Sequence, residues 1–166
     1  VAQEGSTVQV NGKSTLHPWT LKATRLELSI HLSGLDASKP VTVDALSAAK
    51  LSGLKVTIPV EGLKSTEGPA MDKNTWGALK SKEAPDITFS VEKAELTKVE
   101  GRDAVRAVSL SGIVRIGGKE RNVVIPAEVE VQGQRVILRG KTEIAMTEYG
   151  IKPPVILIIK VADKVV

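Results

Sequence analysis

Apolar and polar residues alternate one by one along most of this chain. In residues 25–33, Leu26, Leu28, Ile30 and Leu32 fall on one face, while Arg25, Glu27, Ser29 and His31 fall on the other. Successive strand residues point to opposite sides, so such a segment sets one face against an apolar interior and the other against water. The pattern recurs in residues 54–60, which align Val56 with Ile58, and in residues 87–91, which align Ile87, Phe89 and Val91. It continues through residues 105–116, 123–131 and 136–146, carrying Leu110, Leu138 and Ile144. Gly34, Gly53, Gly101, Gly117-Gly118 and Gly133 mark turns between the runs. Runs about one hairpin apart predict an up-and-down meander. Roughly eight strands with small or branched inward residues favour a closed barrel over a sandwich.

One stretch departs from the pattern. Between Pro69 and Ser81, the residues Met71, Trp76 (or Thr75) and Leu79 recur at helical spacing. Asp72 lies near the start of this segment and Lys80 and Lys82 near its end, matching a helix dipole, and Pro85 stops it. The expected fold is therefore all-β: an eight-stranded antiparallel barrel, with one short helix inserted near residues 70–81 that closes an end. With neither a repeat nor a low-complexity tract, residues 1–166 read as a single domain, long enough for one core.

Composition narrows what the interior holds. Hydrophobic residues make up 42% of the chain, but Trp19, Trp76, Phe89 and Tyr149 are its only aromatics. Aliphatic side chains must therefore line the interior, and any cavity there is smooth and apolar. The candidate lining is Leu26, Leu28, Ile30 and Leu32 from the first clear strand, then Val56 and Ile58, and Phe89 and Val91. Leu110, Leu138 and Ile144 follow from later strands, with Met71, Trp76 and Leu79 from the helix. A formal charge of +4 is spread through mixed-sign sequence. The densest basic stretch, residues 115–121, contains Glu120 and two glycines and reads as a strand end and turn. With no aromatic platforms beside it, nucleic acid is not an expected partner. The absence of cysteine removes disulfides and thiolate chemistry. The apolar run at residues 153–159 is far too short to span a bilayer. The opening Val-Ala-Gln-Glu-Gly has neither the charged nor the apolar region of a signal peptide.

Few residues suggest catalysis. His17 and His31 are the only histidines; His31 lies on a polar strand face, and no cysteine or close carboxylate pair joins either into a metal site. Ser14, His17 and Asp72 could be assembled as a triad, but no nucleophile-elbow sequence accompanies them. Pro18 pushes His17 toward an extended, structural conformation. Gly117-Gly118 joins two strands and so is not a phosphate cradle. Gly150 and the Pro153-Pro154 pair mark a rigid loop anchored by Tyr149.

Four segments, in order, resemble the YceI-like domain family. They are Val10-Asn-Gly-Lys-Ser-Thr-Leu-His-Pro-Trp19; Met71-Asp72 with Ala78-Leu79-Lys80 and Ala84-Pro85-Asp-Ile-Thr-Phe89; Leu110-Ser-Gly-Ile-Val-Arg-Ile-Gly-Gly-Lys-Glu-Arg-Asn-Val123; and Met146-Thr-Glu-Tyr-Gly-Ile-Lys-Pro-Pro154. The resemblance implies a lipocalin-like barrel, exported to the periplasm or secreted. It also implies a long apolar pocket for an isoprenoid, an isoprenoid quinone or a fatty-acid-like amphiphile. Catalytic residues and cofactors are not part of it, beyond a bound isoprenoid or other lipid. By the same resemblance the family would complete a last strand after residues 162–165, and this sequence departs from it by ending at Val166. The expected function is non-catalytic binding, transport or storage of such a ligand. The alternatives are a structural or interaction domain with a side-chain-filled core, or an enzyme acting on an amphiphile with His17 as base. The oligomeric state stays open, a homodimer included.

Overall fold

The computed structural model describes residues 6–36, 38–133, 135–153, 155–156, 159–160 and 164–166. The elements run β1 (Gln9–Lys13), β2 (Pro18–Ala23), β3 (Glu27–Ser33), α1 (Val43–Ala48), β4 (Lys50–Pro59), β5 (Leu63–Ser65) and α2 (Pro69–Ala78). The long strands β6 (Asp86–Lys98), β7 (Val105–Ile116) and β8 (Lys119–Gln132) follow, then β9 (Arg135–Gly140). The short β10 (Ile144–Ala145), β11 (Val155–Ile156), β12 (Ile159–Lys160) and β13 (Lys164–Val165) complete the chain. All pairings are antiparallel. Six strands form the main sheet in the order β3-β4-β6-β7-β8-β9, and β1-β2-β5 form a second; β10 pairs with β13 and β11 with β12.

The mostly-β, antiparallel expectation holds, but the strand count does not. Thirteen strands are described rather than eight, and among the described residues no ladder joins the sheet edges β3 and β9 into a barrel. The alternating runs correspond to the long strands of the main sheet. β1, β2, β5 and the two-residue strands are too short to show a period. The run at 136–146 is divided: β9 ends at Gly140, and Ile144 and Ala145 pair with β13 in a different sheet.

Cross-strand partners share a face, so the register shows how the sheet is amphipathic. Leu28, Val56, Phe89 and Val114 form one row, which exposed Arg121 ends on β8, and Ile30, Leu54, Val91, Gly112 and Val123 form the next. The opposite face carries Ser29, Lys55, Ser90, Ile113 and Asn122 in one row, and Glu27, Thr57, Thr88, Arg115 and Glu120 in another. The register slips between Val91 and Lys93, and this bulge returns Ala94 and Leu96 to the apolar face opposite Leu110 and Val108. Bulges of this kind bend and twist the strand that carries them. Gly112 lies opposite Val91 at the slip, where a Cβ would stand 2.1 Å from the Ser90 carbonyl oxygen; only glycine fits there.

The expected helix is present, and among the described residues a second short helix, α1, accompanies it. In α1, the Thr42 hydroxyl accepts the Ala45 N–H at 3.1 Å and caps the first turn. At six residues, this helix is too short to leave a 3.6-residue period. α2 falls within the expected segment and starts at Pro69, which needs no N–H partner there. Ser81 N–H bonds back to the Trp76 carbonyl and Lys80 N–H to that of Gly77, the Schellman arrangement. Lys80 consequently has φ 56°, a left-handed conformation usually given to glycine.

Candidate functional site

The inner face of the main sheet is apolar over most of its length. Its centre is a buried cluster of Leu54, Val91, Val108, Leu110, Ala127 and Val129, against which Leu28, Leu46, Phe89 and Leu96 pack. Toward one end lie Val114, Ile116, Tyr149 and Ile151, joined by Leu79 and Ile87. Beside it a third cluster of Trp19, Leu21 and Val165 covers the second sheet, and Ile144 and Met146 touch both of these clusters. The rims differ from the centre. On the β3 edge Ile30 is 47% exposed and Leu32 39%; on the β9 edge Val136 is 47% and Leu138 43%. An apolar surface thus runs from a packed centre outward to two open margins.

Each end of this face is closed differently. At one end α1 lays Leu46 on the central cluster, and its Asp44 carboxylate accepts from Arg106 Nη2 at 2.5 Å. Arg106 is on the inward row of β7, opposite Val129, and only 6% exposed. Its Nη1 donates to the carbonyls of Asp103 at 2.9 Å and Val105 at 2.8 Å. At the other end the short 3-10 turn Met146–Tyr149 is followed by left-handed Gly150 and buried Ile151. Tyr149, 3% exposed, fills that end. Burial, and after it the Glu148 carboxylate, push its phenol above the ordinary value, while Arg121 pulls the other way.

Most of the sequence-derived lining is brought together. Leu28, Ile30, Leu32, Val56, Ile58, Phe89, Val91, Leu110 and Leu138 share the inward face. Leu26 is half-buried and precedes β3. Ile144 lies where two clusters meet, and Leu79 belongs to the Tyr149 cluster. Met71 and Trp76 are half-buried and sit outside these three clusters. Trp76 instead fastens α2 to β5: its indole N–H donates to the Leu63 carbonyl at 3.0 Å, and the Lys64 ammonium lies 4.1 Å from its ring centre. Asp72 accepts the Ser65 N–H at 2.6 Å and pairs with Lys64 at 3.5 Å. Trp19 does differ from Trp76, as a buried ring covering Gly12 directly across the β1-β2 hairpin. The lining missed from sequence is Arg106 with α1. The alternation does place Arg106 on the face of Val108 and Leu110, and a charge on an apolar face is the signal that could have found it.

Catalytic geometry does not form around His17. Ser14 Oγ donates to the His17 carbonyl at 2.9 Å and accepts the Leu16 and His17 N–H groups, forming the turn of the first hairpin. His17 Nδ1 donates to the Pro18 carbonyl at 2.8 Å, and Nε2 stands 3.6 Å from Glu67. Asp72 is engaged with β5, so these three residues do not make a triad. Among the described residues, no three histidine or acidic side chains are grouped to hold a metal, and no helix is long and apolar enough to cross a membrane. A cavity of about 420 Å³ lies between β3 and α1, lined by Gly34, Leu35, Asp36, Lys39, Pro40, Val41, Thr42 and Ala45. None of these residues is in the sequence-derived lining.

Comparison with known proteins places this architecture. The fold is similar to that of BcnA from Burkholderia cenocepacia, with a TM-score of 0.69 and 18% identity over 96% of this chain and 90% of that one. It is also similar to the YceI protein of Campylobacter jejuni, with a TM-score of 0.53 and 19% identity over 77% of this chain and 71% of the other. No curated protein matches the sequence. A family profile described as the YceI-like domain aligns with residues 2–166, almost the entire chain. By that match this chain belongs to the YceI-like domain family.

Proposed function

We propose that the protein binds and carries a long apolar or amphiphilic molecule, such as an isoprenoid, an isoprenoid quinone or a fatty acid, without catalysis. The carrying observation is the inner face of the main sheet, aliphatic over most of its area and ending in exposed Ile30, Leu32, Val136 and Leu138. Apolar side chains left half-open to water gain by covering with another apolar group, at roughly 25 cal/mol per Å². A ligand lying along this face needs few hydrogen bonds, in keeping with a lining that holds so few polar groups. A periplasmic or secreted location belongs to the same reading, and the likeness to the YceI-like family supports it. Organic extraction of freshly purified protein, with mass spectrometry of the extract, is the direct test. The expected result is a stoichiometric long-chain species; protein that yields none, and takes up neither a long-chain alcohol nor a prenol after delipidation, refutes the reading.

A second reading is favoured by the central cluster, whose residues are 5–8% exposed: a domain whose interior is filled by its own side chains. Under it, stability is unchanged by any apolar additive. Under the carrier reading, a bound additive raises the unfolding midpoint in proportion to the logarithm of its concentration.

A further inference from the structure

We infer that Arg106 is the anchor for the head of a long-chain carboxylate whose tail lies along the inner face, an inference that rests on the carrier reading above. Arg106 is the buried charged group of this stretch: exposed Lys98 is its partner on β6, and Val108 and Leu110 follow it on the same side of β7. Its Nη1 edge is taken up by two backbone carbonyls, of Asp103 and Val105, which fix the plane of the guanidinium. The Nη2 side is met by one oxygen of Asp44, and the Asp44 side chain is itself 80% exposed on a six-residue helix.

A buried guanidinium with its counter-charge held at the surface is a poorly shielded arrangement, since burying an ion costs unless its partner is well placed. A planar carboxylate is the group that matches a guanidinium edge, through two parallel charge-assisted hydrogen bonds. Asp44 therefore occupies the position that a ligand carboxylate would take, one oxyanion exchanging for another with no change in net charge. A larger oxyanion fits less well, because the neighbouring carbonyls of Asp103 and Val105 offer no donor to a third oxygen.

The register supplies a path for the tail. Arg106, Val129 and Leu138 are successive partners across β7, β8 and β9, so they form one inward row. Val129 is buried in the central cluster and Leu138 is open at the sheet edge. A chain that starts at Arg106 crosses two strand spacings, roughly 10 Å, to reach the exposed margin.

The test uses delipidated protein and two probes of equal length, dodecanoic acid and dodecan-1-ol, titrated by calorimetry at mildly alkaline pH. The anchor predicts that the acid binds at least about tenfold tighter than the alcohol, the worth of a charge-assisted hydrogen bond. In Arg106→Gln the ratio of the two affinities falls to about one. Asp44→Asn removes the competing carboxylate from an exposed site and lowers the acid Kd by about tenfold, so the test does not depend on the fold surviving loss of Arg106. Equal affinities in the unmodified protein, or acid binding weakened by Asp44→Asn, overturn the anchor and leave the apolar site standing. Failure of both probes to bind overturns the carrier reading and the anchor with it.

Discussion

Gly112 and Gly77 show how one methyl group has opposite consequences at two positions. A Cβ at Gly112 would drive into the Ser90 carbonyl and the Val91 backbone, neither of which is a flexible side-chain end. Gly112→Ala should therefore cost about 1–3 kcal/mol, as overpacking does. Gly77 lies in α2 with nothing within 4 Å of its Cβ position and an ordinary helical backbone. There the same substitution should stabilise by about 0.5–1 kcal/mol, because alanine loses less backbone freedom on folding. Urea unfolding of both variants measures the contrast, and a shared sign would contradict the local geometry. Tyr149 makes a second prediction at this scale. Its phenol is held above its ordinary value, so the unfolded chain ionises first as pH rises. The contribution is complete below about pH 10 and is lost as pH climbs through the higher folded value. Urea midpoints on either side of about pH 10 should fall more for the parent chain than for Tyr149→Phe.

Among the elements, α2 is the one whose role changed most between pattern and structure. The spacing of Met71, Trp76 and Leu79 located the helix, but not what its faces touch. Leu79 meets the Tyr149 cluster, while Trp76 and Asp72 tie the helix to β5 through the Leu63 carbonyl and the Ser65 N–H. Such bonds join the helix to a backbone that no periodicity identifies. Trp76→Phe keeps a ring and loses the indole N–H, so it should cost about 1 kcal/mol, one net hydrogen bond. The helix end offers the reverse change. Lys80 holds a left-handed conformation that costs a non-glycine residue about 1 kcal/mol or more, and Lys80→Gly should raise the thermal midpoint. α1, at six residues, left no period to read.

For the whole molecule, the useful contrast is between the packed centre and the open margins of the inner face. Substituting Leu138→Asn together with Ile30→Asn places polar groups where side chains are already half in water. Each change should alter stability by no more than about 0.5 kcal/mol, as surface substitutions usually do. Uptake of a fluorescent long-chain probe should nevertheless fall severalfold, since the ligand would cover these positions. Retained uptake would remove the two margins from the binding surface. A change at Leu110, in contrast, should be read first as a core defect, because that side chain is 5% exposed within the central cluster.

Alternation alone placed Leu28, Ile30 and Leu32 of β3, Val56 and Ile58 of β4, Phe89 and Val91 of β6 and Leu110 of β7 on the inward face, because a strand's side-chain period is two. The sequence also located α2, and it marked the family through segments spread along the chain. How those strands assemble was settled by tertiary contacts: four separate sheets among the described residues in place of one closed barrel, with β10 paired to β13. Partners such as β10 with β13, or β2 with β5, lie far apart in the chain and leave no trace in local alternation. The same holds for Arg106. Its face was legible, but the Asp44 carboxylate that meets it lies 62 residues away in the chain, on a helix too short to announce itself.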